Sequence, residues 1–342
     1  MFNRRFASHP LLSKGERSFK RKLTASAGWR WLKRGVTALF FVLVGYLMVS
    51  QARSVEWGRV LSSLQQYPVA TICSAAALSL ASFVLYSCFD LLGRHYTGHS
   101  LKARTVMTLT FVSYAFNLNL GSAVGGVAFR FRLYSRLGLA LGVITRVMSI
   151  SMLTNWMGYV LLAGLLFSLQ PPALPVRWRI DAVQLRLIGV LLLGVASAYL
   201  ATCALSRRRI LRLRGHALEL PSFRLASLQM VMGASNWLLM SSIVFVLLQQ
   251  RIDFFTVTSV LLLAAIAGVI THIPGNLGVL EAVFVALLSH RLAQHELLAG
   301  VLAYRVFYYL IPLVIATLIY LTLEARLKKP PDSVQTAKTA TD

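Results

Sequence analysis

Five charged residues stand where charge is expensive. Glu281 and Arg305 lie among apolar residues late in the chain, and Arg130, Arg132 and Arg136 follow an apolar run near its middle. Guanidinium forks suit phosphate and carboxylate, which they grip through paired hydrogen bonds. An unpaired arginine at the centre of a membrane costs roughly 2.5–3.5 kcal/mol on insertion scales, so Arg305 requires a partner. Glu281 is one candidate, and an anionic lipid headgroup in a wet cavity is the other, so Arg130, Arg132, Arg136, Glu281 and Arg305 together are the candidate headgroup-binding residues. The arginine trio reads either as a headgroup site or as an interfacial cluster that anchors its own hairpin. Arg132 and Arg136 share a helix face at i, i+4 spacing.

Both groups follow helix breaks. The apolar run from Ile266 stops at His272-Ile273-Pro274-Gly275-Asn276, turns through Leu277-Gly278, and resumes with Glu281 in its first turn. Proline removes a backbone donor and glycine frees the backbone, so the helix should end here. In lipid such a break is tolerated only under cover of protein or of a water-filled cavity. The other break follows Val106 to Leu120, whose polar end carries Asn117 and Asn119, and runs through Gly121 to Gly125 and Gly126. The breaking residues are therefore Gly125, Gly126, Pro274, Gly275 and Gly278. The arginines after the first break fit a hairpin that enters from the cytoplasm and returns; the second break is approached from outside. Opposed broken helices are the arrangement of inverted repeats, which meet near the bilayer centre and form a transport site. A shared need for tight turns would produce the same two patterns. Half-helix N-termini would add unsatisfied N–H groups to such a site. Asn117, Asn119, Asn155 and His272 read as its polar lining. As a plainer alternative, the asparagines, with Asn236, are interhelical glue and His272 is a cap.

The elements that must hold these residues are membrane helices. The chain has 342 residues, is 57% hydrophobic and only 13% charged, and has a mean hydropathy of +0.66. A soluble domain would carry about a quarter charged residues. The expected fold is all-α: a polytopic helical membrane bundle of about 8 spans plus two broken or re-entrant hairpins. Continuous rather than alternating apolar runs argue against a barrel. Residues 1–34 form a basic cytoplasmic tail, 35–325 a single membrane domain, and 326–342 a polar cytoplasmic tail. Residues 35–50 read as an uncleaved anchor rather than a signal peptide. The net charge of +24 fits basic cytoplasmic loops facing anionic headgroups better than nucleic-acid binding. Asp90, near the inner end of the second span, reads as structural. Cys73, Cys88 and Cys203 show no CxxC spacing, so they read as small buried hydrophobes rather than zinc ligands or disulfides. His290, His295 and Glu296 lack a metal spacing. No cofactor is expected.

Ile273-Pro274-Gly275-Asn276-Leu277-Gly278-Val279-Leu280-Glu281 resembles the PGGLGvrE signature of the lysylphosphatidylglycerol synthetase transmembrane-region family. The stretches Tyr114 to Leu120, Gly125-Gly126-Val127, Arg130 to Leu139, Thr154-Asn155-Trp156, Ser235-Asn236-Trp237 and Leu302 to Tyr309 resemble its YbhN-type bacterial branch. The resemblance covers nearly all of the chain after the basic tail. It implies a multi-pass bacterial inner-membrane protein with both termini cytoplasmic. In full-length synthetases this kind of domain is associated with flipping an aminoacylated lipid. Those enzymes add a soluble transferase domain, for which the chain after the last span has no room, so lipid aminoacylation is not expected. Asn276 and Leu280 depart from the signature, and the missing basic residue before Glu281 leaves the substrate open.

Two functions follow. One is a flippase-like translocase of an anionic phospholipid or isoprenoid-linked lipid; without a P-loop, its drive would come from gradients or from the lipid. The other is a non-catalytic scaffold or partner of a lipid-synthesising enzyme. An intramembrane enzyme is disfavoured, because no acid, base or metal constellation is visible.

Overall fold

The computed structural model describes residues 65–121, 126–175, 178, 180–206, 210–213, 216–219, 221–271 and 273–327, with 58 and 62 ahead of them. The N-terminal tail, residues 328–342 of the C-terminal tail, the first expected span, Gly125 and His272 lie outside the described residues. Elsewhere the chain is almost wholly helical, as continuous apolar runs require where only intrahelical hydrogen bonds can satisfy the backbone.

Helix α1 (Val69–Ser87) passes through Cys88 into α2 (Phe89–Thr97), and left-handed Gly98 ends the run. Then come α3 (Ala103–Leu120) and the short α4 (Phe129–Arg136). Next are α5 (Leu141–Leu169), α6 (Ala182–Leu205) and α7 (Phe223–Leu247). Helices α8 (Phe254–Thr271) and α9 (Val279–Leu288) flank the second break. Finally α10 (Gln294–Arg305) widens into a π-helical turn, Val306–Leu310, and continues as α11 (Ile311–Leu327). Between α6 and α7 a short antiparallel pair forms from β1 (Ile210–Leu213) and β2 (His216–Glu219). Among the described residues 6 helical stretches are long and apolar enough to cross a membrane.

Contacts between the ends of these helices sort them onto two faces. At the first face Gly93 of α2 packs on Val147 of α5, where an added Cβ would come within 2.9 Å of the Val147 backbone. There too the His99 ring stands 6.5 Å from that of Tyr134, so α3 sets out from the face to which α4 returns. Helix α5 crosses to the second face, α6 returns along it, and α7 crosses again. The α7–α8 turn then meets the α9–α10 turn through two ion pairs, Arg251–Glu296 and Arg291–Asp253, the latter at 3.2 Å. So α8 leaves the second face and α9 comes back to it. Both hairpins are re-entrant, and they approach from opposite faces.

The centre of the bundle is a close crossing of α5 and α7. A Cβ on Gly233 would lie 2.1 Å from the Thr154 carbonyl oxygen, and one on Gly158 would lie 2.1 Å from the Gly233 carbonyl carbon. Only glycine permits backbones this near. Large apolar side chains face outward on α6 (Val183, Leu187, Leu191) and α11 (Val314, Leu318, Leu321), the surface that lipid covers. Cys73 belongs to that surface, which corrects its reading as a buried hydrophobe, and Cys88 and Cys203 are half-buried. The reason is that an apolar run in a membrane need not face protein.

Candidate functional site

At the second break the helix ends because Gly275 and Gly278 take positive φ, +63° and +74°. Side chains rarely adopt that conformation. Pro274 opens the intervening 3₁₀ turn, Pro274–Asn276. Asn276 also takes positive φ (54°) and folds its amide back onto α8, donating to the Ala264 carbonyl at 3.2 Å. The turn exposes carbonyls that no helix satisfies, and Arg305 satisfies them. Its Nη1 donates to Gly275 O at 2.9 Å and its Nη2 to Asn276 O at 2.6 Å. The same guanidinium grips Glu281 with Nε on Oε1 and with Nη2 on Oε2 at 3.0 Å. It also lies over the Tyr309 ring. Of the two partners open to Arg305, the structure supplies Glu281, which stands in the first turn of α9.

The first break has a parallel construction. Gly121 N–H caps α3 on the Asn117 carbonyl at 2.9 Å, residues 126–128 make a π-helical turn, and Gly126 packs against the Asn117 side chain. Arg130 follows in the first turn of α4 and is buried. Its Nη1 stands 3.4 Å from Asp90 Oδ1. Its Nε donates to Ser113 Oγ at 2.9 Å and its Nη1 to Ser151 Oγ at 3.2 Å. Asp90 Oδ2 accepts from the Tyr134 hydroxyl at 2.8 Å. Asp90 is wholly buried, so it does not reach water as its place near the end of a span suggests. Arg130 supplies the opposite charge that a buried carboxylate demands.

The two breaks touch. A Cβ on Gly275 would lie 3.1 Å from the Asn119 carbonyl oxygen, and Asn119 Nδ2 donates to Ala115 O and, at 3.2 Å, to Tyr309 O in the π turn. Between the two ion pairs runs a buried polar chain. The rings of Tyr86 and Tyr114 stack at 3.4 Å, with Arg130 over Tyr86. The Tyr114 and Tyr308 hydroxyls lie 2.9 Å apart, Tyr308 and Ser82 share a hydrogen bond of 2.7 Å, and Ser82 donates to Asn236 Oδ1 at 2.8 Å. Tyr304 stacks on Tyr308. Asn119 and Asn236 thus act as interhelical glue. Asn155 contributes through its backbone carbonyl, which accepts from Trp237 Nε1 at 3.2 Å.

The arginine trio divides. Arg130 is buried, whereas Arg132 and Arg136 are exposed on the same short helix. The Arg132 guanidinium lies over Tyr320 of α11, beside the stacked rings of Phe116 and Phe129. Among the described residues no three His, Cys, Asp or Glu side chains converge as a metal site.

Outside the spans burial pushes the Tyr67 hydroxyl up to about 12, and His99 and Asp253 are displaced as well. Burial, and Arg94 beside it, hold the His99 imidazole below its ordinary value, while Asp90 pulls the other way. Burial raises the Asp253 carboxyl, but hydrogen bonds from Thr256 and the Arg291 charge outweigh it and leave it lower than usual.

Asp90, Ser113, Tyr134 and Ser151 are site residues that the linear sequence conceals. A lone acid late in an apolar run requires a cation, and Arg130 beside the first break lacks an assigned partner. That pairing is the signal that could have joined them.

Fold and site together define a class: multi-pass helical membrane proteins in which two re-entrant hairpins from opposite faces meet beside buried arginine–carboxylate pairs. The chain belongs to the family described as the lysylphosphatidylglycerol synthase TM region, matched over residues 31–316. It is 45% identical over 302 residues to the inner membrane protein YbhN of Escherichia coli (strain K12), covering 88% of this chain and 95% of that protein. It is 30% identical over 286 residues to the uncharacterized protein slr0712 of Synechocystis sp., covering 83% of this chain and 88% of that protein.

Proposed function

We propose that the protein moves an anionic phospholipid or isoprenoid-linked lipid between the leaflets of the bacterial inner membrane, with Arg132 and Arg136 meeting the headgroup and Arg130 taking its phosphate. One observation carries this reading: two broken hairpins of opposite approach meet tip to tip, with a buried arginine beside each break. That is how inverted-repeat transporters build a central site. Similarity to an inner membrane protein supports the location. The first face, with Arg94, Lys102, Arg104, Arg132, Arg136 and Arg146 near it, is the cytoplasmic one by the positive-inside rule. Glu281 and Arg305 hold the second break rather than the lipid.

The test is leaflet movement of labelled phosphatidylglycerol and phosphatidylethanolamine in proteoliposomes that contain only this protein. The expected result is movement of phosphatidylglycerol that Arg130→Ala abolishes and Arg132→Ala slows. No movement of either lipid, from protein that is folded, would turn the reading toward a non-catalytic partner of a lipid-synthesising enzyme. In that case Arg130→Ala and Arg132→Ala would leave partner binding intact.

A further inference from the structure

The two buried arginine–carboxylate pairs are alike in composition and unlike in grip. Arg305 holds both oxygens of Glu281 and two carbonyls of the break. It cannot leave without orphaning all of them, so this pair is a fixed brace. Arg130 comes nearest to one oxygen of Asp90, at 3.4 Å, and its other contacts are neutral: the Ser113 and Ser151 hydroxyls and Tyr86. Among the described residues, Asp90 Oδ1 has no hydrogen-bond partner. A guanidinium held by one long carboxylate contact and by neutral partners, the Ser113 and Ser151 hydroxyls and Tyr86, exchanges its anion more readily than one held in a double fork.

We propose that a lipid phosphate displaces Asp90 from Arg130, that Asp90 takes up one proton as it is displaced, and that the proton is therefore the coupling ion. This inference rests on the translocase reading above and names its energy source. The argument is charge balance. Before exchange the buried site holds one carboxylate and one guanidinium. A phosphodiester brings one negative charge. If Asp90 stayed ionised it would be a buried charge without a partner, which costs several kcal/mol and which proteins avoid by neutralising the group. A proton on Oδ1, the oxygen that Arg130 vacates, restores neutrality. Tyr134 goes on donating to Oδ2. Nothing else changes charge, so the phosphate and the proton travel together and the cycle is electroneutral.

The surroundings of Asp90 fit this exchange. The titratable and charged groups around it are Tyr86 on α1, Arg94 on its own helix, His99 in the following turn, and Arg130 and Tyr134 on α4. His99 is the one whose ordinary titration falls near neutral pH. Its ring stands edge-on to Tyr134, and neither of its nitrogens has a hydrogen-bond partner among the described residues. It lies in the turn at the first face, so an imidazole is at hand to pass a proton toward the Tyr134–Asp90 contact.

The test measures binding rather than transport. Short-chain phosphatidylglycerol is titrated into the purified full-length protein by calorimetry, in two buffers of unlike ionisation heat, which counts the protons exchanged. Wild type should take up about one proton per lipid bound, and its affinity should weaken by about tenfold for each pH unit raised. Asp90→Asn should bind phosphatidylglycerol with no proton uptake and no such pH dependence. Binding by wild type without proton uptake overturns the inference and leaves the translocase reading standing, as does uptake that persists in Asp90→Asn. Absence of binding removes both. The wild-type measurement decides the matter even if the variant fails to fold.

Discussion

At the scale of single residues, the two arginines that answer the two breaks carry different burdens. Arg305→Ala leaves Glu281 charged and unpaired and strips two carbonyls of their donors. Breaking a buried pair from one side typically costs about 3–5 kcal/mol. The expected outcome is a large fall in the thermal unfolding midpoint in detergent, or no folded protein. Glu281→Gln should cost less, because the arginine keeps its bonds to Gly275 and Asn276. Arg132→Ala, at an exposed position, should shift the midpoint little, on the order of 0.5 kcal/mol or less, while slowing lipid movement. A pair of variants that reversed this order would refute the division into brace and headgroup contact. Arg305 and Glu281 are legible as partners in the sequence, because each stands isolated in apolar surroundings. Asp90 and Arg130 are not. Asp90 sits close enough to the polar 98–102 turn to pass for a solvated residue, and only tertiary packing of α2 against α4 and α5 brings it to the arginine.

At the scale of elements, the breaks depend on backbone that side chains disturb. Gly275→Ala forces a side chain into positive φ and toward the Asn119 carbonyl oxygen, a strain of about 1–3 kcal/mol. It should loosen the contact between the tips, seen as faster hydrogen exchange across 115–120 as well as around the substitution itself. Gly233→Ala pushes a methyl into the Thr154 carbonyl and should separate α5 from α7, at a cost of about 1–3 kcal/mol for overpacking. The spans themselves are easy to read, since crossing lipid leaves no choice but an unbroken apolar helix. The breaks are readable for the converse reason: Pro274, Gly275 and Gly278 are residues that a helix rejects. What local pattern does not carry is where each hairpin goes next. That α8 and α9 share a face is settled by Arg251–Glu296 and Arg291–Asp253, contacts between turns far apart in the chain. The close crossing at Gly158 and Gly233 is equally hidden, because either glycine alone is compatible with any helix.

At the scale of the whole molecule, the two re-entrant hairpins make a labelling prediction. In a background without native cysteines, Gln250→Cys and Ser289→Cys should react with impermeant maleimide from one side of sealed vesicles, and Ser100→Cys from the other. Reaction of the first two from opposite sides would mean that α8 and α9 cross. Stability should also fall on acidification. His99 has a lowered folded pKa, so its contribution is complete above the ordinary imidazole value of about 6.5 and is lost as the pH drops below it. Asp253 is likewise lowered, so its contribution is present above the ordinary carboxylate value of about 3.9 and fades as the pH falls through the folded one. Unfolding midpoints should therefore decline from pH 8 toward pH 5, by roughly the amount that His99→Gln removes. One further consequence belongs to α6. Only Leu185, Gly189 and Ala196 are buried along its length, and Tyr199 adds one hydrogen bond, to Gln229. Gln184 closes a capping box with Asp181, and Leu193 lies against Gly164 of α5. The lipid-facing remainder specifies little but its own oiliness, and a version respelled with any mixture of leucine, valine and alanine around those six residues should dock in the same place.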